Sequence, residues 1–420
     1  MDIEPLAAAM KAAAAWQKGL VVPTGGSRSA LACRLTSDGT SLQLLARGQH
    51  GWLADSVEGR PDDDALKAEF SIGVEPDQLC TLLAKARSLP WLELSVRDCD
   101  DAITSGEFSD NGLCLLLSCS DEFEHRPLLD GGAGFWPGDS CPELNLQAGE
   151  PDWSMTLAAS QLVELLKLSL FAAADPAENQ ARAVIVVEID EEQIQCTATD
   201  GRTVLVARSV LTAPLEVSRK LVLPVTLAER ILGVTSLADD SDQLTLTISG
   251  SGQKRLTLRL SCESATVQLL AQLPELQGPD LTRLAGPLRE RQHLATFTND
   301  GAFRDRISLH GQLSRLPLTL AGTDSGLVAT TRTDTDAAEK LRRQSIVLPV
   351  VDSAVGSVTL EADGLLKLLS LLRGAELSLS VATNGFSEIA VIETTEAADV
   401  ELMAAVVGLN VTQTVAPGDR

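Results

Sequence analysis

The stretch SVTLEADGLLKLLSLLRGAELSLSVATN, residues 357–384, opens on a short apolar strand, runs into a Leu-rich helix and ends, after a polar break, in an alternating strand. Leu365, Leu368 and Leu369 stand at the i, i+3, i+4 spacing that gathers side chains on one helix face. From Leu377 the run LSLSV alternates with period two, the mark of a strand with one buried face. The same grammar recurs twice. FSIGVEPDQLCTLLAKARSLPWLELSVR, residues 70–97, places Leu79, Leu82 and Leu83 on its helix and closes on LELSV from Leu92. LVLPVTLAERILGVTSLADDSDQLTLTIS, residues 221–249, closes on LTLTI from Leu244.

A second grammar fills the intervals: a helix, a strand, a tight acidic turn and another alternating strand. One copy is SALACRLTSDGTSLQLLARG, residues 29–48, after a helix near 6–18. Another is AVIVVEIDEEQIQCTATDGRTVLVARS, residues 183–209, after ASQLVELLKLSLFAA. The last is DRISLHGQLSRLPLTLAGTDSGLVATT, residues 305–331, preceded by LTRLAGPLRERQHLATF. Asp38-Gly39 and Asp200-Gly201 are turn dipeptides between strands. The pattern predicts helices over 6–19, 78–88, 160–173, 226–234, 281–294 and 363–373. Six half-domain units then pair into three domains, 1–148, 149–276 and 277–420, with Pro/Gly-rich linkers near 142–152 and 273–287. The fold class is α+β and pseudo-symmetric, each domain having two helices packed on antiparallel sheets.

Length agrees with several domains, since 420 residues exceed the roughly 100–200 of one ordinary domain. At 44% apolar the chain has material for several cores. No apolar run reaches the ~18–20 residues that span a bilayer. In MDIEPLAAAMKAAAAWQKG, acids precede the apolar run and Lys11 and Lys18 interrupt it, unlike a signal peptide. A cytoplasmic protein without membrane association is expected. The eight cysteines form no CxxC and only four histidines are present, so no metal or cofactor is expected and the thiols read as buried and reduced. No phosphate-binding GxxxxGK[ST] or GxGxxG opens a helix, GGAGFWPGD from Gly131 lacks a lysine, and no nucleophile elbow occurs. No catalytic residues are assigned, and a non-enzyme is expected.

The net charge of −24 argues against nucleic acid if spread evenly, because phosphate contacts need Lys and Arg. Distribution alters that reading. The six expected helices carry Lys11, Lys18, Lys85, Arg87, Lys167, Arg230, Arg283, Arg289, Arg291, Lys367 and Arg373 against Glu164, Glu229, Glu290 and Asp363, a balance of +7. The rest of the chain holds 23 bases and 54 acids. Basic helices inside an acidic exterior would grip a polyanion through its backbone without reading sequence.

CTATDGRTVLVARS, Cys196 to Ser209, resembles the second-domain motif of the bacterial DNA sliding clamp, the beta subunit of DNA polymerase III, where an ATDG turn between strands precedes a basic residue and an apolar strand. SRKLVLPVTLAERILGV from Ser218 resembles the clamp segment in which a strand ends in Pro and opens a helix. SDGTSLQLLARG and the stretch from Ser357 to Ile392 fit the first and third domains, so the resemblance runs over nearly the whole chain. It implies a clamp fold in each domain, a ring-forming head-to-tail homodimer, and double-stranded DNA passing through a hole lined by helices. DNA-facing residues would be Lys11, Lys18, Arg28, Lys85, Arg87, Lys167, Arg230, Arg289, Arg291, Lys367 and Arg373. A DNA polymerase or repair factor and a clamp loader would insert short apolar peptides into a pocket of Arg182, Thr199, Gly201, Arg202, Thr203, Val204, Pro224, Leu402 and Met403. Leu113, Leu115 and Leu117, on an apolar edge strand, would form the dimer interface. The chain departs from the pattern in having no Tyr, in Arg182 where the family places a pocket-lining Leu, and in Thr203 after Arg202. Those departures support an alternative, a clamp-fold paralogue that has lost sliding and serves as an interaction scaffold.

Overall fold

The computed structural model describes residues 3–18, 33–38, 41–58, 69–74, 76–85, 93–98, 113–118, 124–125, 152–211, 215, 218–235, 242–249, 255–261, 266–279, 290–312, 318–324, 326–332, 343–372, 375–383, 388–395 and 400–407. Among them six helices occur: α1 (Ile3–Gln17), α2 (Pro76–Lys85), α3 (Ala159–Ala172), α4 (Val225–Thr235), α5 (Gly301–Gln312) and α6 (Ala362–Leu371). The strands are β1 (Cys33–Asp38), β2 (Ser41–Gly48), β3 (Gly51–Glu58), β4 (Glu69–Val74), β5 (Glu93–Asp98), β6 (Leu113–Ser118), β7 (Glu124–His125), β8 (Trp153–Ala158), β9 (Val184–Ile189), β10 (Gln193–Thr199), β11 (Thr203–Val210) and β12 (Arg219–Pro224). They continue with β13 (Gln243–Ser249), β14 (Arg255–Ser261), β15 (Thr266–Gln272), β16 (Gln292–Thr298), β17 (Leu318–Thr323), β18 (Gly326–Arg332), β19 (Arg343–Leu348), β20 (Asp352–Ser353), β21 (Gly356–Leu360), β22 (Glu376–Thr383), β23 (Glu388–Thr394) and β24 (Val400–Val407). Two compact units result, Met1–Val163 with Glu229–Glu275, and Glu164–Ala228 with Leu276–Arg420.

In the first unit an eight-stranded sheet has the order β4-β1-β2-β3-β15-β14-β13-β8. Its middle is the antiparallel pairing of β3 with β15, Leu53 opposite Leu269, so strands far apart in sequence share one sheet. Alternation sends Leu42, Leu44, Ala46, Leu53 and Val57 to the face under α1, whose Leu6, Met10, Ala13 and Trp16 are buried at helical spacing. Trp16 donates its Nε1 proton to the Gly51 carbonyl at 3.4 Å. Gly51, at φ +148, is obligatory, since a Cβ there would lie 1.9 Å from the Leu270 carbonyl oxygen. The alanine run of α1 has a packing role: Ala12 and Ala13 are buried, and a Cβ on Gly233 of α4 would meet that of Ala15 at 3.3 Å. Asp55 also points into this core, 5% exposed.

The second unit holds a nine-stranded sheet, β12-β9-β10-β11-β24-β23-β22-β16-β20, and a four-stranded sheet, β19-β18-β17-β21. β11 and β24 join them as β3 and β15 do in the first unit, pairing from Thr203 opposite Val406 to Ser209 opposite Val400. One face carries Ile185, Val187, Cys196, Leu205, Ala207, Leu402 and Ala404, all buried. α3 covers it, and burial there pushes the Cys196 thiol up to about 12. Cys33 is likewise a buried free thiol with its pKa pushed up, and Cys80 is half-buried.

One expectation is corrected. Residues 290–294 of the expected helix 281–294 are not helical, and the rest of that span lies outside the described residues. Gln292–Thr298 is instead strand β16, and a helix the sequence reading did not place, α5, follows it. The signal missed is Asp300, whose Oδ1 accepts the Phe303 amide proton at 2.7 Å as an N-cap. Phe303 of that helix stacks on Phe297 of β16, centroids 4.1 Å apart. Asp300→Ala is expected to lower stability by about 1 kcal/mol, read from a urea melt. In the order β5-β6-β7, β6 pairs with β5 from Leu113 to Ser118 and with β7 only at Leu117 and Ser118, so among the described residues Leu113 to Leu116 have no strand partner on that side.

Candidate partner groove and basic helix faces

The Thr199-Asp200-Gly201-Arg202 turn closes the β10–β11 hairpin largely through its own side chains. Asp200 Oδ1 accepts the amide protons of Arg202 and Thr203, each at 2.7 Å. The buried Thr199 hydroxyl donates to the Thr203 carbonyl at 2.7 Å and accepts the Gly201 amide proton at 3.0 Å. Gly201 has φ +95, and a Cβ there would fall 1.8 Å from Arg182 Nη1. The exposed Arg182 guanidinium therefore lies over the turn and donates to the Asp200 carbonyl at 3.4 Å. Gly201→Val is expected to cost about 1–3 kcal/mol through backbone strain and displacement of Arg182, measured by thermal denaturation.

Cross-strand register sorts the remaining pocket candidates by face. Val204 is opposite Ala405 and Val206 opposite Met403, so these four share the face turned away from α3. Thr199 stands opposite Val204, and Pro224 opposite Val184, on the same face. Leu402 pairs with Ala207 and faces the core, because neighbouring strand residues point to opposite sides. Only Met403 of that pair presents its side chain to the outer face. Thr203 likewise belongs to the core face.

Along the outer face Val204, Val206, Ala405, Val391, Ile389 and Ala382 form a buried apolar cluster with Met403 at its border. Val186 is covered by the 273–279 segment, where a Cβ on Gly278 would meet Val186 Cγ2 at 2.5 Å. Beside Met403 opens a cleft of about 340 Å³ lined by Val206, Arg208, Thr394, Thr395, Glu401, Leu402 and Met403. The structure thus brings Arg182, Thr199, Gly201, Arg202, Val204, Pro224 and Met403 to one face. Register also adds Ala405 and Val206, which composition alone had not singled out.

The basic residues fare differently. Lys11, Lys85, Lys167 and Lys367 are exposed on α1, α2, α3 and α6, Lys18 is exposed just after α1, and Arg230 on α4 is half-buried. Arg230 lies near His50, whose pKa is lowered by burial first and by that guanidinium second. Arg28, Arg87, Arg289 and Arg373 lie outside the described residues. Arg291 is not helical, and it pairs with Glu393 at 2.7 Å. In its place α5 supplies Arg304 and Arg306, the latter donating to the Val347 carbonyl at 3.1 Å. The six observed helices hold Lys11, Lys85, Lys167, Arg230, Arg304, Arg306 and Lys367 against Glu4, Asp77, Glu164, Glu229, Asp305 and Asp363. Over the described helix residues, seven bases against six acids is a balance of +1, with Arg87, Arg283, Arg289 and Arg373 of the expected set outside the described residues.

A further polar cluster escaped the sequence reading. His293 sits with Nδ1 3.4 Å from Ser378 Oγ and Nε2 3.3 Å from Asp352 Oδ1. Asp352 is held below the usual carboxylate range by its hydrogen bond with Thr296 and then by His293. The His293 contacts are long, and the imidazole and carboxylate are 40% and 60% exposed, so water competes for both. The cluster acts as a clasp among β16, β20 and β22. Among the described residues no group of three His, Cys, Asp or Glu side chains gathers to hold a metal ion. No described helix is long and apolar enough to cross a membrane.

No family model matches this sequence, and no curated protein matches it. Solved structures do. The DNA polymerase sliding clamp of Pseudomonas aeruginosa superposes with TM-score 0.70 at 16% identity, over 97% of this chain and 98% of that one. The DNA polymerase III beta subunit of Thermotoga maritima gives 0.70 at 12% identity over the same shares, and the sliding clamp of Bacillus subtilis gives 0.69 at 12%. Strands, helices and hairpins in the order described above, matched along almost the entire length of both chains, give this protein the α+β fold of the bacterial DNA polymerase III beta sliding clamps.

Proposed function

We propose that the protein is a DNA sliding clamp, a head-to-tail homodimer that encircles duplex DNA and tethers a DNA polymerase or repair factor. The observation that carries the reading is fold agreement over 97% of the chain, with neighbours that are themselves polymerase clamps. In this reading the domains are 1–148, 149–276 and 277–420, and the β5–β6–β7 sheet, with Leu113, Leu115 and Leu117, meets the third domain of the other subunit. Lys11, Lys18, Lys85, Lys167, Arg230 and Lys367, joined by Arg304 and Arg306, make the backbone contacts to DNA. Such contacts carry no sequence information, so the ring slides. Partner proteins, a clamp loader included, place a short peptide on the face bordered by Thr199, Gly201, Val204, Pro224 and Met403. No step of this function is chemical.

The alternative is a clamp-fold scaffold that does not slide, and the nearly neutral helices favour it. Two measurements separate the readings. Light scattering across a dilution series should give a species near twice 44.4 kDa. Protein assembled on nicked circular DNA should then co-elute with it and be released when the circle is cut. A persistent monomer, or equal retention on circular and linear DNA, removes the sliding reading and leaves the scaffold.

A further inference from the structure

We infer that the peptide received on the outer face between β11 and β24 carries an acidic side chain, bound by Arg182 at the Thr199–Arg202 turn. This rests on the proposed partner groove and names the chemistry of its occupant. Three observations support it. First, the Arg182 guanidinium is exposed, fixed over Gly201 at φ +95, and among the described residues held by a 3.4 Å hydrogen bond to the Asp200 carbonyl. No carboxylate of the described residues pairs with it. Second, Arg202 adds a guanidinium at the same turn, and its ion pair with Glu361, at 3.5 Å, is open to water with the two side chains 78% and 57% exposed. Such a pair contributes little and exchanges readily for an incoming carboxylate. Third, an apolar floor begins beside that turn: Val204, Val206 and Ala405 are buried in it, and Met403 at its border lines the open cleft.

The arrangement specifies an extended segment with an apolar side chain in the cleft at Met403 and a carboxylate at the Arg182 end. A guanidinium presents paired N–H donors that match a carboxylate. The rest of the surface sharpens the preference. On a chain of net charge −24 an acidic segment is repelled from most places, so two guanidiniums beside an apolar strip determine where it docks.

The test is fluorescence anisotropy on the full chain with two labelled peptides, Gly-Leu-Val-Glu-Leu-Leu and the same peptide with Gln for Glu, at low salt. Arg182→Leu and Met403→Lys are tested in parallel, with circular dichroism to establish that both fold. Met403 is at the border of the floor, and a lysine there blocks apolar docking without repelling an acid. The expected result is that the Glu peptide binds about 10-fold more tightly than the Gln peptide. Arg182→Leu should abolish the difference, and 0.5 M salt should shrink it. Equal binding of both peptides to the parent chain, lost in Met403→Lys, overturns the acidic preference and leaves the groove standing. Binding that survives Met403→Lys, or no binding by either peptide, overturns the groove itself and the inference with it.

Discussion

Asp55 is expected to give a stability component that falls as pH rises from about 4 to about 7 and then levels off, and Asp55→Asn is expected to remove that fall. Asp55 lies on the buried face of β3 with Leu53 and Val57, under α1. Its Oδ1 accepts the Ser56 amide proton at 2.7 Å, while Oδ2 is buried without a partner. Burial pushes the carboxyl up from 3.8 to about 7, against a smaller lowering by the Ser56 hydrogen bond. A carboxyl with a raised folded pKa keeps its proton longer in the folded chain than in the unfolded one. Between about pH 4 and 7 the folded state therefore binds more protons, and unfolding becomes easier as pH rises. Above 7 both states are ionised and the slope vanishes. The full span amounts to about 4 kcal/mol at most, by 1.36 kcal/mol per pKa unit. Chemical denaturation of parent and Asp55→Asn at pH 4.5, 6 and 8 reads it directly. The difference between the two should grow by about 2–4 kcal/mol in favour of the variant, since an amide has no charge to desolvate. A difference that stays flat with pH would show that Asp55 finds water or a cation in the folded protein.

Asn299→Ala is expected to cost about 3 kcal/mol. Asn299 is fully buried where β16 ends, and its Nδ2 donates to the Leu369 carbonyl at 2.7 Å and to that of Leu372. Those carbonyls belong to the last turn of α6, where a helix has acceptors without internal donors. Truncation leaves two buried carbonyls without partners, at about 1–3 kcal/mol each. Because the side chain joins the end of β16 to α6, the loss should appear as a lower urea midpoint with an unchanged slope. A loss below about 0.5 kcal/mol would mean that water replaces the amide. The same position shows how closely the turn is built, for the Asn299 amide also donates to the Ala375 carbonyl at 2.9 Å.

The two misreadings share a cause. LTRLAGPLRERQHL contains good helix formers, so local propensity placed a helix at 281–294. The competing information was tertiary. His293 to Thr298 pair with β22, with a bulge between His293 and Ala295, and Phe297 needs Phe303 across the layer. Pairing outweighed propensity over 292–294, and the error carried into the charge argument, since Arg291 had been counted as helical. Small boundary shifts did the same elsewhere: Glu4 and Asp77 fall inside α1 and α2 once the first turn is included. An acid in the first turn is what the helix dipole favours, so ends drawn too short discard acids and make helices look basic.

The sequence by itself determined the repeat, the alternation of buried and exposed strand residues, five helices to within a few residues, and the ATDG hairpin. These depend on periods of 2 and 3.6 and on turn chemistry, which are local properties of the chain. Tertiary structure alone decided which strands meet across β3–β15 and β11–β24, that Met403 rather than Leu402 presents its side chain to the outer face, that Arg182 comes to rest on Gly201, and that Asp55 is buried with one oxygen unpaired. Each of these is a contact between residues far apart in sequence, fixed by register. A shift of one residue turns every side chain of a strand to the opposite face, and no local pattern encodes which partner sets that register.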